Sequence, residues 1–136
     1  MKSQVEDRFE EAVRLFNEGD FFKAHELWEE EWKTAHGLEK VFYQGLIQAA
    51  AALLHARRFN YAGAISLYLK SRSKLDQFPA EWAGIELGQL RMELTCYFSA
   101  LASPGDARPG GNQSMRHQRI PGAECAPSIR KSPPQH

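Results

Sequence analysis

The stretch FNEGDFFKAHELWEEEW, Phe16 to Trp32, decides how this chain is read. Gly19-Asp20 breaks the helical pattern: glycine readily takes the backbone conformation that closes one helix, and aspartate caps the next. The following residues return to a helical period. At 100° per residue, Phe21, His25, Trp28 and Trp32 fall within about 60° of one another. Glu29 lies about 40° further round, one turn from His25. Phe22 and Glu26 share the adjoining flank. The pattern predicts a helix over residues 21–35, ended by His36-Gly37, with a histidine on its aromatic stripe and four acids (Glu26, Glu29, Glu30, Glu31) close by.

Upstream, Val5, Phe9, Ala12, Val13 and Phe16 recur at the helical period and predict a first helix over residues 4–18. Downstream, VFYQGLIQAAAALLHA lies in a third helix expected over 39–57. It is apolar on nearly every side, as a central buried helix is. Its polar exceptions, Gln44, Gln48 and His55, fall within about 40° on the wheel and share one stripe. Gly45 and Ala49 to Ala52 allow a neighbouring helix to approach closely. A fourth helix is expected over 61–77, stopped by Pro79, and a fifth over 85–101. FNEGDFFKAHELW and RRFNYAGAISLY pass through the same order of residue types about forty positions apart, with Ala24 and Ala64 in register. Two stacked helix–turn–helix units would produce that echo.

From Ser103 the composition changes. Six of the seven prolines and four of the ten glycines lie there, and no aromatic residue does. Such a segment buries too little apolar surface to offset its ordering entropy. The expected organisation is an all-α domain over residues 1–102, a compact bundle of four to five helices built from helix–turn–helix pairs, and a disordered tail over 103–136.

Charge and composition narrow the function. The chain has 136 residues with 17 basic and 17 acidic side chains. The tail carries Arg108, Arg116, Arg119, Arg130 and Lys131 against Asp106 and Glu124, so the remainder is mildly acidic. No basic excess draws the fold toward nucleic acid. The apolar run from Gly45 to Leu54 is about ten residues, against the roughly twenty that span a bilayer. Cys96 and Cys125 make neither a zinc spacing nor a disulfide framework. These features, with no signal-type N-terminus, predict a cytoplasmic protein.

His25 and Glu29 form an i, i+4 pair. A metal site needs three or four ligands, and His55 is the available third. Antiparallel second and third helices would set His25 nearer His55 than Gln44, favouring a cluster of His25, Glu29 and His55 completed by Glu26. The competing reading makes His25 a hydrogen-bonded interface residue, Gln44 and Gln48 satisfied polar groups between helices, and Phe21, Phe22, Trp28 and Trp32 core. Glu30 and Glu31 then form a solvated face, and Cys96 is a small buried hydrophobe. No glycine-rich phosphate loop or serine nucleophile elbow is present.

Two blocks of the chain resemble a known family. Asn17, Gly19, Ala24, His25, Glu26, Glu29 and Trp32, then Gln44, Gly45, Gln48, Ala50, His55, Asn60, Gly63 and Ala64, are similar in order and spacing to the domain of unknown function 309 family. The resemblance covers roughly residues 9–76. It implies a small helical bundle and no particular activity. Its polar positions coincide with those the helical wheels single out.

The leading expectation is a non-catalytic module that binds a small molecule or a protein segment. Its pocket would lie between the second and third helices and be formed by His25, Glu26, Glu29, Trp32, Gln44, Gln48 and His55. The cofactor is left unknown. The first alternative is a metal-assisted or general-base enzyme using His25, Glu29 and His55. The second is a bundle that serves only homo-oligomerisation.

Overall fold

The computed structural model describes residues 4–102 and 127–132. Five helices follow one another: α1 (Gln4–Asn17), α2 (Phe21–Thr34), α3 (Gly37–Arg57), α4 (Tyr61–Leu75) and α5 (Leu87–Ala102). A two-residue hairpin, β1 (Glu81–Trp82) and β2 (Ile85–Glu86), joins α4 to α5. The all-α expectation holds.

The forty-residue echo is realised bond for bond. At the α1–α2 turn, Gly19 N donates to Phe16 O, Asp20 N to Leu15 O and Ala24 N to Asp20 O. At the α3–α4 turn, Phe59 N donates to Ala56 O, Asn60 N to His55 O and Ala64 N to Asn60 O. Asp20 caps α2 by accepting from Lys23 N, and Asn60 caps α4 by accepting from Gly63 N, each at 3.2 Å. Both turns need a residue with positive φ. Gly19 supplies it at 92°, but Phe59 is forced to 65°. Among the described residues, the two buried polar ones, Glu31 and Ser71, are also forty apart. Each binds the helix before it: Arg8 Nη1 donates to Glu31 Oε2 at 2.6 Å, and Ser71 Oγ donates to Gly45 O at 2.7 Å. Glu31 is therefore no part of a solvated face; it is the buried anchor of α2 on α1.

Helix α3 is central, packed mainly between α2 and α4. Leu46, Ala50, Ala52 and Ala56 are fully buried. A Cβ on Gly45 would stand 2.6 Å from Leu75 Cδ2, so α4 crosses α3 where no side chain fits. Aromatic rings close the rest of the core. Phe9 and Phe16 reach Trp28, Phe42 packs on Phe78 and Trp82, and Tyr68 stacks on Phe98 with centroids 4.7 Å apart. Phe22, expected in the core, is half exposed. Cys96, expected to be buried, is exposed.

Helix α4 stops at Leu75, before the proline, because the chain turns to bury Phe78. Arg91 Nη1 fixes that turn by donating to Leu75 O and Phe78 O at 3.0 and 2.9 Å. The hairpin replaces the expected first turn of α5. Its tip, Ala83-Gly84, has φ of 56° and 78°, as a tight antiparallel turn of matching twist requires.

The expectation of a disordered tail is corrected for residues 127–132, which pair with β2; the rest of 103–136 lies outside the described residues. Glu86 N donates to Arg130 O at 2.8 Å, and Ser132 N to Gly84 O at 2.9 Å. Ile85 bridges Lys131 in antiparallel register. Composition misjudged this segment because two buried residues anchor it: Ile129, 2% exposed, and the fully buried Pro127.

Two predictions follow from the helix packing. Gly45→Ala pushes α4 off α3 and should cost about 1–3 kcal/mol in urea denaturation; an unchanged midpoint would mean the crossing is looser than described. The turns should respond with opposite signs. Gly19→Ala should lose about 1 kcal/mol, whereas Phe59→Gly, relieving a left-handed phenylalanine that is largely exposed, should gain about 0.5 kcal/mol.

Candidate functional site

Helices α2 and α3 are joined by only Ala35-His36 and run antiparallel. Lys40 fixes their register: its Nζ lies 4.2 Å from the Trp32 ring centroid and donates to Trp32 O at 3.2 Å. Each step back along α2 then matches a step forward along α3. Trp28 comes level with Gln44, and His25 with Ile47, one residue from Gln48.

That register corrects the expected three-ligand cluster. His55 stands seven residues beyond Gln48, roughly 10 Å further along the axis, whereas Gln44 is only one turn away on the other side. His55 is also occupied, since Asn60 Nδ2 donates to its Nδ1 at 2.8 Å. Among the described residues, no three His, Cys, Asp or Glu side chains stand where they could hold one metal ion. The expectation took the start of α2 to face the end of α3 and did not fix the register between them. Helix α3 runs 21 residues against 14, so its end overshoots the start of α2.

The two helices together carry a set of buried polar atoms. The His25 ring stacks on Phe22 with centroids 6.0 Å apart, and its Nε2 faces Glu29 Oε2 at 3.4 Å. With the neutral ring's proton on Nε2, toward that carboxylate, Nδ1 is left as an acceptor. That Nδ1 is buried and has no partner. The same holds for Trp28 Nε1, Trp32 Nε1 and Gln48 Oε1. Four of the five such atoms among the described residues therefore lie on α2 and α3, two donors and two acceptors. Trp28 is fully buried, while His25, Trp32, Gln44 and Gln48 are half-buried. Glu26 and Glu29 are exposed at the rim.

A second concavity lies on the opposite flank of α3, and the sequence reading missed it. A cavity of about 560 Å³ opens between α1, α3 and the hairpin, walled by Phe9, Phe42, Tyr43, Trp82 and Ile85, with Lys131 at its edge. Burial, aided by Glu39 and Glu31, pushes the Tyr43 phenol up to about 12, so it keeps its proton at neutral pH. The aromatic residues were legible as core. Their arrangement around a space was not, because it depends on a hairpin too short to leave a period.

Segment 127–132 meets this cavity at Lys131. Asn17 grips the segment with both ends of its amide: Nδ2 donates to Ile129 O at 2.9 Å, and Oδ1 accepts from Ile129 N at 2.7 Å. Glu93 Oε1 accepts from Ser128 N at 2.9 Å, and Oε2 pairs with Arg130 Nη1 at 2.9 Å. Lys131 Nζ reaches Glu10 Oε2 at 3.0 Å. Desolvation pulls the Glu93 carboxyl upward, but hydrogen bonds from Gln89 and Ser128 and the Arg130 charge together outweigh it and hold the group below its ordinary value.

A carboxyl lowered in the folded state stabilises that state fully above its free value, about 4.3 for glutamate, and the contribution vanishes as pH falls through the lowered value. Segment 127–132 should therefore detach in acid before the helices melt. Ile129 methyl resonances followed by NMR from pH 6 to pH 2.5 should move to unfolded positions while helical circular dichroism persists, and Glu93→Gln should flatten the step. Coincident loss of both signals would contradict this.

Comparison with known proteins places the helical blocks. Residues 9–67 match a family described as a domain of unknown function, DUF309. An uncharacterized protein of Aquifex aeolicus (strain VF5) is 33% identical over 93 residues, which is 68% of this chain and 28% of that protein. The chain thus spans less than a third of the length of the curated relative it matches. No helix among the described residues is long and apolar enough to cross a membrane.

Proposed function

Residues 9–67 belong to the DUF309 family, and from that premise we propose that the chain is a non-catalytic binding module whose α2–α3 seam holds a small, neutral polar ligand or a partner's polar segment. One observation carries the reading: His25 Nδ1, Trp28 Nε1, Trp32 Nε1 and Gln48 Oε1 are buried without a partner on two adjacent helices. Buried polar groups are nearly always hydrogen-bonded, and a cluster of exceptions is costly to keep. A ligand that both donates and accepts, as an amide does, matches the two acceptors and two donors. Trp32 would form one wall, steadied by Lys40 over its ring. Gln44, one turn from Gln48, and the rim carboxylates Glu26 and Glu29 extend the polar surface. His55 lies outside this seam, and with it goes the ligand set of the metal-assisted alternative.

Stability and binding should then move in opposite directions. Gln48→Met removes a buried acceptor while keeping its volume, and should raise the unfolding free energy by about 1 kcal/mol. In a thermal-shift screen of the full chain against polar small molecules, compounds that raise the melting temperature of the wild type should leave Gln48→Met unmoved. A loss of about 1 kcal/mol or more in Gln48→Met would show that the carboxamide is satisfied inside the fold, and the seam would be structural.

A further inference from the structure

The groove between α1, the hairpin and α5 holds an extended stretch of this chain as a receptor holds a peptide. The seven polar contacts described above are of two kinds. Those from Asn17, Glu86 N, Gly84 O and Glu93 to Ser128 N engage main-chain atoms, and so fit any extended segment. The side-chain contacts set the chemistry: a buried aliphatic residue at 129, a base at 130 facing Glu93, and a base at 131 facing Glu10. Main-chain hydrogen bonds along a sheet edge with pockets for alternate side chains are one of the recurring modes of peptide recognition.

The occupant fits incompletely. Residues 129 and 131 point to the same side of the strand. Ile129 is buried, but Lys131 remains 64% exposed and passes the mouth of the 560 Å³ aromatic cavity without filling it. Asn17, Phe9, Phe42 and Tyr43 lie within the family-matched residues 9–67, whereas the occupant lies outside them.

We propose that this groove is a binding site for an extended segment of a partner protein, and that residues 127–132 are its tethered stand-in. The preferred segment has an aliphatic residue at the position of Ile129, a basic one at Arg130 and an aromatic one at Lys131, whose ring enters the cavity between Phe9, Phe42 and Trp82. This site is separate from the α2–α3 seam, and neither proposal rests on the other. The tether presents residues 127–132 to the groove at an effective concentration in the millimolar range, so a partner must exceed that fit to displace them.

Fluorescence polarisation with labelled peptides and the full-length chain tests this. The probes are APSIRKSP, the chain's own residues 126–133, and APSIRWSP. Ile129→Asp empties the groove in cis, and that variant should bind APSIRKSP at least tenfold more tightly than the wild type does. APSIRWSP should bind it at least fivefold more tightly again, and adding Asn17→Ala should cost at least tenfold for both. A folded Ile129→Asp chain that binds neither peptide would overturn the proposal, as would a tryptophan probe no tighter than the lysine one. Should Ile129→Asp not fold, a protease site inserted between Gly110 and Gly111 allows cleavage of an otherwise unaltered chain. Both peptides should then compete the released fragment off its partner with the same fivefold order, and failure to compete rejects the groove. Sedimentation of the wild type should show a monomer at all concentrations; dimers growing with concentration would assign the groove to exchange between copies instead.

Discussion

The structure depends on how closely α4 can approach α3. A helix that is apolar on almost every side must be covered on almost every side, and α3 achieves this with small residues rather than large ones. At Gly45 the side chain is missing, Leu75 fills its place, and Ser71 Oγ binds the carbonyl left accessible there. A single crossing therefore sets the distance between the layers, satisfies a buried hydroxyl and fixes the level at which α4 ends. The large aromatic residues are pushed to the periphery of α3, where Phe42 and Tyr43 meet α1 and the hairpin. The cavity on that flank follows from this division between a tightly packed side and an aromatic one.

The two helical hairpins are variations on one solution. Each closes with the same hydrogen bonds, the same kind of capping side chain and a buried polar residue at the equivalent level of its second helix. The differences lie where function can enter. The first hairpin has His25 where the second has Ile65, and Trp28 where the second has Tyr68. Tyr68 finds a hydroxyl partner in Thr95 at 2.9 Å, while the imidazole Nδ1 and indole N–H of the first hairpin find none. The contrast between equivalent positions is what makes the α2–α3 seam stand out from the packing around it.

Much of this was legible in the sequence for physical reasons. Helical period, the Gly19-Asp20 break and the apolar α3 are properties of ten or more residues, and they identified the helices and turns. The polar positions 25, 44 and 48 stand out on the helical wheels in the same way. Other features were invisible because they rest on one or two residues. A two-residue strand has no period. Ile129 is a single aliphatic residue in a stretch of prolines, arginines and serines, and only the geometry of Asn17 and β2 gives it a place. Glu31 resembled its solvated neighbour Glu30 until Arg8 was brought to it across 23 residues. The third ligand at His55 failed because the sequence does not give the register of α3 on α2, and His55 binds Asn60 at the α3–α4 turn instead.

The Asn17–Ile129 contact joins groups 112 residues apart in the chain, whereas the helical hairpins close through neighbours. Closing so long a loop costs entropy that grows with its length, and such contacts form late. The helices should therefore assemble first and rapidly, with segment 127–132 arriving last onto a finished surface. For an interval after synthesis, and after every transient opening, the groove is empty and its sheet edge unpaired. A partner segment of the kind proposed would therefore compete for that edge by order of arrival as well as by affinity.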